Sequence, residues 1–127
     1  MKFLDSNIIA YAFYKNPNQE GCQKEILMGG VVDTLNLVEA FNIIEFETSR
    51  DIAAKSIRSL LKSNLSIVST DINVIFEALK RSERTKKLKF IDLIHYTAAQ
   101  IKSCEAMVSF DDDFSGLDMP RIEPGSD

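Results

Sequence analysis

The chain has no tryptophan, one histidine, two cysteines, three prolines and five glycines in its 127 residues. Each scarcity excludes something. A single histidine leaves no site in which one imidazole serves as base and another as acid. Cys22 and Cys104 stand at no metal-ligand spacing, so a zinc site of Cys and His has poor support. Two cysteines without an export signal give little reason to expect a disulfide. No uninterrupted apolar run approaches the ~20 residues of a membrane span. Met1-Lys2-Phe3-Leu4-Asp5 breaks its apolar run with an acid at once, which is not a signal-peptide pattern. A cytoplasmic location is expected, with no membrane partner. Internal repeats and low-complexity tracts are also missing.

What is present is ordinary for a globular chain: 45% hydrophobic and 27% charged residues. The length fits one domain with a real core, expected over 1–123, with Pro124-Gly125-Ser126-Asp127 as a frayed tail. The net charge of −4 argues against a protein that simply coats nucleic acid. It leaves room for an enzyme whose acids bind metal and whose metal meets phosphate.

Lys2-Phe3-Leu4 reads as a short buried strand, and Asp5-Ser6-Asn7 offers N-caps for a helix from Ile8 to Phe13. Asn16-Pro17-Asn18 ends that helix and opens another, Gln19 to Met28, which Gly29-Gly30 stops. Val31-Val32 is a strand, and Thr34 is a candidate cap for a helix from Leu35 to Glu47. That helix has a wide apolar surface (Leu35, Val38, Phe41, Ile43, Ile44, Phe46), with Glu39 inside it. Asp51 to Lys62 repeats Ala53, Ile57, Leu60 and Leu61 at helical spacing. Leu65-Ser66-Ile67-Val68 is a strand, and Thr70 or Asp71 begins a helix through Ile75 and Leu79. Arg81 to Lys89 is polar and basic. A helix with Ile91, Ile94, Ala98 and Ile101 on one face follows. Ala106 to Phe110 is a strand, and Met119 to Ile122 adds a last edge strand. Short apolar strands alternating with helices mean a parallel sheet covered on both faces.

Asp92 sits in the first turn of an apolar helix, where a lone carboxylate is costly unless paired, hydrogen-bonded or bound to metal. Its candidate partners are Asp5, Glu39, Asp111 and Asp113. Asp5 and Asp111 each follow a strand, and ligands of parallel sheets bind beyond the C-terminal strand ends.

The stretches Phe3-Leu4-Asp5-Ser6-Asn7-Ile8-Ile9, Leu37-Val38-Glu39-Ala40, Ile91-Asp92-Leu93-Ile94-His95-Tyr96-Thr97-Ala98-Ala99 and Val108-Ser109-Phe110-Asp111-Asp112-Asp113-Phe114 resemble, in order and spacing, the four motifs of the PIN domain family. The resemblance covers nearly the whole chain. It is strongest to small stand-alone PIN proteins that act as VapC-type toxins of toxin–antitoxin pairs. It implies a three-layer α/β/α fold with a short central parallel sheet flanked by helices, and a metal-dependent endoribonuclease. The family's acidic quartet falls on Asp5, Glu39, Asp92 and Asp111, with Asp113 as a further acid and Mg²⁺ or Mn²⁺ as the cofactor. The family's small hydroxyl falls on Ser6 or Ser109; Ser109 stands where Thr is common. An RNA substrate, an antitoxin protein and a homodimer are the implied partners.

The chemistry agrees. Phosphodiester hydrolysis needs a nucleophilic hydroxide, charge relief on the phosphoryl oxygens and a stabilised leaving oxygen, and one or two Mg²⁺ or Mn²⁺ ions can supply all three. Such cations take oxygen ligands and keep several waters, so a few carboxylates suffice.

Each residue also has a plainer role open to it. Asp5 could be an N-cap, Glu39 a solvent-facing helix residue, Asp92 a charge favoured by the helix dipole, and Asp111 to Asp113 an acidic turn. Of these three, Asp111 is the expected metal ligand, Asp113 the second, and Asp112 points to solvent. His95, three residues after Asp92, is expected to be a packed, hydrogen-bonded residue rather than a ligand. Arg81, Arg84, Lys86, Lys87 and Lys89 are candidates for holding RNA phosphates, or form a solvated loop. Arg50, Lys55, Arg58 and Lys62 are an extension of that patch, and Tyr11, Phe13 and Tyr14 are expected in the core.

Three further readings stay open: a PIN-type RNA-processing or decay nuclease without an antitoxin, a PIN-like module that binds RNA or protein without cutting, and an acidic-pocket phosphotransfer protein. The last expects adjacent acids or Asp-x-Asp after the first strand, and this chain has Asp5-Ser6-Asn7.

Overall fold

A computed structural model describes residues 1–125. Five parallel strands, β1 (Lys2–Leu4), β2 (Gly30–Asp33), β3 (Leu65–Val68), β4 (Ala106–Val108) and β5 (Arg121–Ile122), lie in the order β3-β2-β1-β4-β5. The helices are α1 (Ser6–Tyr11), α2 (Gln19–Leu27), α3 (Thr34–Glu47), α4 (Arg50–Leu61), α5 (Ile72–Ser82) and α6 (Phe90–Ile101), and a 3-10 turn covers Asp112–Phe114. This is the expected three-layer α/β/α arrangement. No helix among the described residues is long and apolar enough to cross a membrane.

The layers follow from strand alternation. Phe3, Val31 and Met107 bury into the cluster under α5 and α6, while their neighbours Leu4, Val32 and Val108 bury on the side of α1 to α4. Because both faces are covered, the strands read as continuous apolar runs. Tyr11, Phe13 and Tyr14 pack against the second cluster, as expected.

β1 pairs with β4 on one side and β2 on the other. The chain steps from β1 through β2 to β3 on one side and then crosses back to β4 on the other side of β1, so a crevice opens between the C-terminal ends of β1 and β4. Asp5 begins there, its N–H donating to the Val108 carbonyl at 3.0 Å.

Several local expectations need correction. Asp33, not Thr34, caps α3. Val38 and Phe46 on α3, Leu61 on α4, Leu79 on α5, and Ile91 and Ile101 on α6, apolar residues at helical spacing, are exposed. Helical periodicity marks apolar positions but cannot say whether another element covers them. The expected tail lies partly outside the described residues, at 126 and 127; within them, the Gly125 N–H donates to Glu25 Oε2 at 3.2 Å.

Gly30 opens β2 with φ +157°, and a Cβ there meets the Lys2 carbonyl oxygen at 3.0 Å and Leu4 Cγ at 3.4 Å. The carbonyl belongs to the neighbouring strand and cannot yield cheaply. Gly30→Ala is therefore expected to destabilise the fold by about 1–3 kcal/mol, the scale of overpacking. A lower urea midpoint reads this directly, and an unchanged midpoint contradicts it.

Candidate functional site

Asp5 and Ser109 meet where β1 and β4 end. The Asp5 side chain is nearly buried and caps α1, Oδ1 accepting from the Ser6 N–H at 2.8 Å. Its other oxygen accepts from the Ser109 hydroxyl at 2.8 Å. Ser109 Oγ in turn accepts from the Asp111 N–H at 2.9 Å, and Asp111 Oδ1 accepts from the Asp113 N–H at 2.9 Å. Thus Asp5 is an N-cap and Asp111 a turn-former, and each plainer role coexists with a place at the rim.

Glu39 reaches the rim from α3. Its Oε1 accepts from the Ser6 hydroxyl at 2.6 Å and lies 2.5 Å from His95 Nε2. His95 is fully buried, with Nδ1 2.6 Å from Asp33 Oδ2. Asp33 is also fully buried and shares a capping box with Asn36, whose amide donates to Ser6 Oγ at 2.8 Å. Asp33, Asn36, Ser6, Glu39 and His95 therefore close a ring of hydrogen bonds. The expectation of a packed, hydrogen-bonded His95 agrees with this geometry. Asp33 and Asn36 escaped the sequence reading, although the spacing of a capping box, a short polar residue followed three positions later by another, was available.

The site's electrostatics tie these groups together. Burial pushes Asp92 up to about 6, and the charges of Asp5, Asp111 and Glu39 push the same way against His95. Burial raises Asp5 too, opposed by its hydrogen bonds from Ser109 and Ser6. Burial works against a charge on His95, yet the hydrogen bonds to Asp33 and Glu39 lift it to about 10. Burial likewise opposes ionised Glu39, but His95 and Ser6 hold it below the usual carboxylate range. The structure thus brings Asp5, Glu39 and Asp111 within electrostatic reach of Asp92. Asp113 is exposed, and its charge is not among those acting on Asp92.

The donor set is all oxygen, which suits Mg²⁺ or Mn²⁺ and not a thiolate-bound zinc. Among the described residues no three His, Cys, Asp or Glu side chains form a ready-made metal cage. A hard cation that keeps several waters does not require one. Unrelieved repulsion among these carboxylates is the property a divalent ion would remove.

The five expected RNA-binding cations divide. Arg81 joins α5 to α6, with Nε donating to Gln100 Oε1 at 2.8 Å and Nη1 to the Glu77 carbonyl at 3.0 Å. Lys87 binds the Ser115 carbonyl. Arg84, Lys86 and Lys89 are exposed. A cleft of about 490 Å³ beside this segment is lined by Lys80, Arg81, Arg84, Tyr96, Gln100 and Asp118, among others, and by none of the four acids. Arg50 pairs with Glu45 at 2.5 Å.

A PIN domain family model matches residues 2–119 of the chain. No curated protein matches it. Solved structures of similar fold include VapC20 of Mycobacterium tuberculosis, described as a sarcin-ricin loop cleaving toxin, at 13% identity and TM-score 0.82, covering 98% of this chain and 100% of that one. A toxin–antitoxin complex from Klebsiella pneumoniae aligns at 13% identity and TM-score 0.73, covering 98% of each chain. VapBC2 of Rickettsia felis, bound to a fragment of its promoter DNA, aligns at 17% identity and TM-score 0.73, covering 96% of this chain and 97% of that one.

The raised Asp92 has a consequence for stability. Folded, it keeps its proton to about pH 6; unfolded, it loses it near the ordinary value of about 4. The folded state binds more protons in that window, so stability falls as pH rises through it and stays lower above. In chelator-treated protein, Asp92→Asn is expected to be more stable than wild type at pH 7–8 by about 1–2 kcal/mol, allowing for solvent screening. The advantage should vanish below about pH 4. A variant that melts below wild type at pH 7 contradicts this.

Proposed function

Since the chain belongs to the PIN domain family, we propose that it is a Mg²⁺- or Mn²⁺-dependent endoribonuclease, the toxin of a VapBC-type toxin–antitoxin pair. The observation that supports this reading is that Asp5, at the end of β1, Glu39 and Asp111 all act on the partly buried carboxyl of Asp92. Asp5, Glu39, Asp92 and Asp111 are the residues that would hold the ion, with Asp113 the outermost acid able to join. A bound divalent ion would supply charge relief on the phosphate and activation of water.

The protein's own residues do the rest. Ser109 aims the Asp5 carboxylate, and Ser6 and His95 aim that of Glu39. Arg84, Lys86 and Lys89 attract the RNA backbone toward the rim through counterion release. Arg81 and Lys87 contribute by holding the basic segment in shape, and their charge adds to the field. Such a toxin acts in the cytoplasm.

Exposed apolar side chains support protein partners. Val38, Phe46, Ile52 and Leu61 project from α3 and α4, and Ile72, Phe76 and Leu79 from α5. Surfaces of this kind mark interaction sites; an antitoxin peptide and a second copy of the chain are the occupants proposed. The structures of similar fold that hold toxin–antitoxin complexes support the first.

Purified protein with Mn²⁺ or Mg²⁺ is expected to cut RNA. Chelator should stop it, and Asp5→Asn and Asp92→Asn should reduce it to background with the fold intact by circular dichroism. Equal cleavage by wild type and both variants would assign the activity to a contaminant. Tight RNA binding without cleavage would favour the non-catalytic PIN module instead.

A further inference from the structure

Resting on the metal-nuclease reading above, we infer that Asp33 and His95 form a buried positioning pair that fixes the Glu39 carboxylate and, with it, the placement of Glu39 relative to Asp92. Neither Asp33 nor His95 belongs to the acidic quartet.

The directions of the hydrogen bonds are determined by the groups. Both His95 ring nitrogens face carboxylate oxygens, Asp33 Oδ2 at 2.6 Å and Glu39 Oε1 at 2.5 Å. Ionised carboxylates only accept, so both nitrogens donate. The Asn36 amide must donate to Ser6 Oγ, which leaves the single Ser6 proton for Glu39 Oε1. Glu39 Oε1 thereby receives two donors from inside the protein. Oε2 has none among the described residues and is the oxygen left for an ion.

Asp33 is itself immobilised. It caps α3, accepts from the Asn36 N–H at 2.8 Å, and gives its own N–H to Asn36 Oδ1 at 2.7 Å. Glu39 lies further along the same helix. His95 therefore spans the cap and the second turn of α3 from α6, and the two helices are pinned at a depth where both side chains of the pair are fully buried. Asp92 lies three residues before His95 on the same side of α6. The contact that holds Glu39 consequently also sets the distance between the acids of α3 and α6. Outer partners of this kind typically change metal affinity 10–100-fold when removed.

The test is a calorimetric Mn²⁺ titration of His95→Gln, Asp33→Asn and Glu39→Gln, and of the two double variants that add Glu39→Gln. Near-ultraviolet circular dichroism checks the fold. Asp33→Asn keeps a capping oxygen and touches no proposed ligand, so it carries the test should His95→Gln fail to fold. Each single variant is expected to weaken Mn²⁺ binding about tenfold or more. Each double variant should match Glu39→Gln within about twofold, because a residue acting through Glu39 has nothing left to act on. A purely structural role instead leaves affinity near wild type, or weakens it equally in the Glu39→Gln background, and either result overturns the proposal. Should Asp5→Asn abolish Mn²⁺ binding while Glu39→Gln and the pair leave it unchanged, the positioning role fails and the nuclease reading stands. A wild-type protein that binds no Mn²⁺ removes both.

Discussion

One imidazole held between two carboxylates organises this molecule. His95 joins α6 to the start of α3 through Asp33 and to the second turn of α3 through Glu39. A buried ion pair of this kind is a poor source of net stability, because desolvation offsets most of the attraction. Its effect is geometric. Deleting His95 would leave Asp33 fully buried without its cation, a loss on the scale of 3–5 kcal/mol. The fold therefore holds together with Glu39 placed, or is strongly weakened.

The same imidazolium moderates the charge of the rim. Asp5 and Asp111 come from distant parts of the chain and are brought to one rim by topology, since β1 and β4 are neighbours and their C-terminal ends coincide. The charges of both, with that of Glu39 on α3, act on Asp92 of α6. Burial and mutual repulsion raise Asp92, while Glu39 is kept ionised by its donors. The site thus contains one acid made reluctant to ionise beside another made willing. That asymmetry arises from which carboxylates have hydrogen-bond donors, and it is the kind of perturbed pair expected of a working site.

Most of the framework could be read from local patterns. β1, β2 and β3 are short apolar runs, Asp5 and Asp71 stand where caps belong, and Asp92 sits in an apolar first turn. Asp92 is legible chemically, as a carboxylate in an apolar first turn, and Asp5 and Asp111 as acids directly after strands; the four stand out as a set only through the resemblance to the PIN motifs. What escaped depends on long-range contact. Thr34 is as ordinary a cap as Asp33; the capping box with Asn36 distinguishes them locally, while the contact of Asp33 with His95, 62 residues away, is carried by no local pattern. Arg81 belongs to a basic run by composition, yet Gln100 and Glu77 define its neighbourhood. Val38, Phe46 and Phe76 are apolar at helical spacing, but no element of the described chain covers them.

Because the chain holds a single histidine, the state of the central imidazole can be measured without ambiguity. The ¹⁵N resonances of the His95 ring in metal-free protein should show both nitrogens protonated at pH 8, with titration only toward about pH 10. A ring that loses its proton near the ordinary value of about 6.5, as a neutral tautomer touching one carboxylate, would contradict the account.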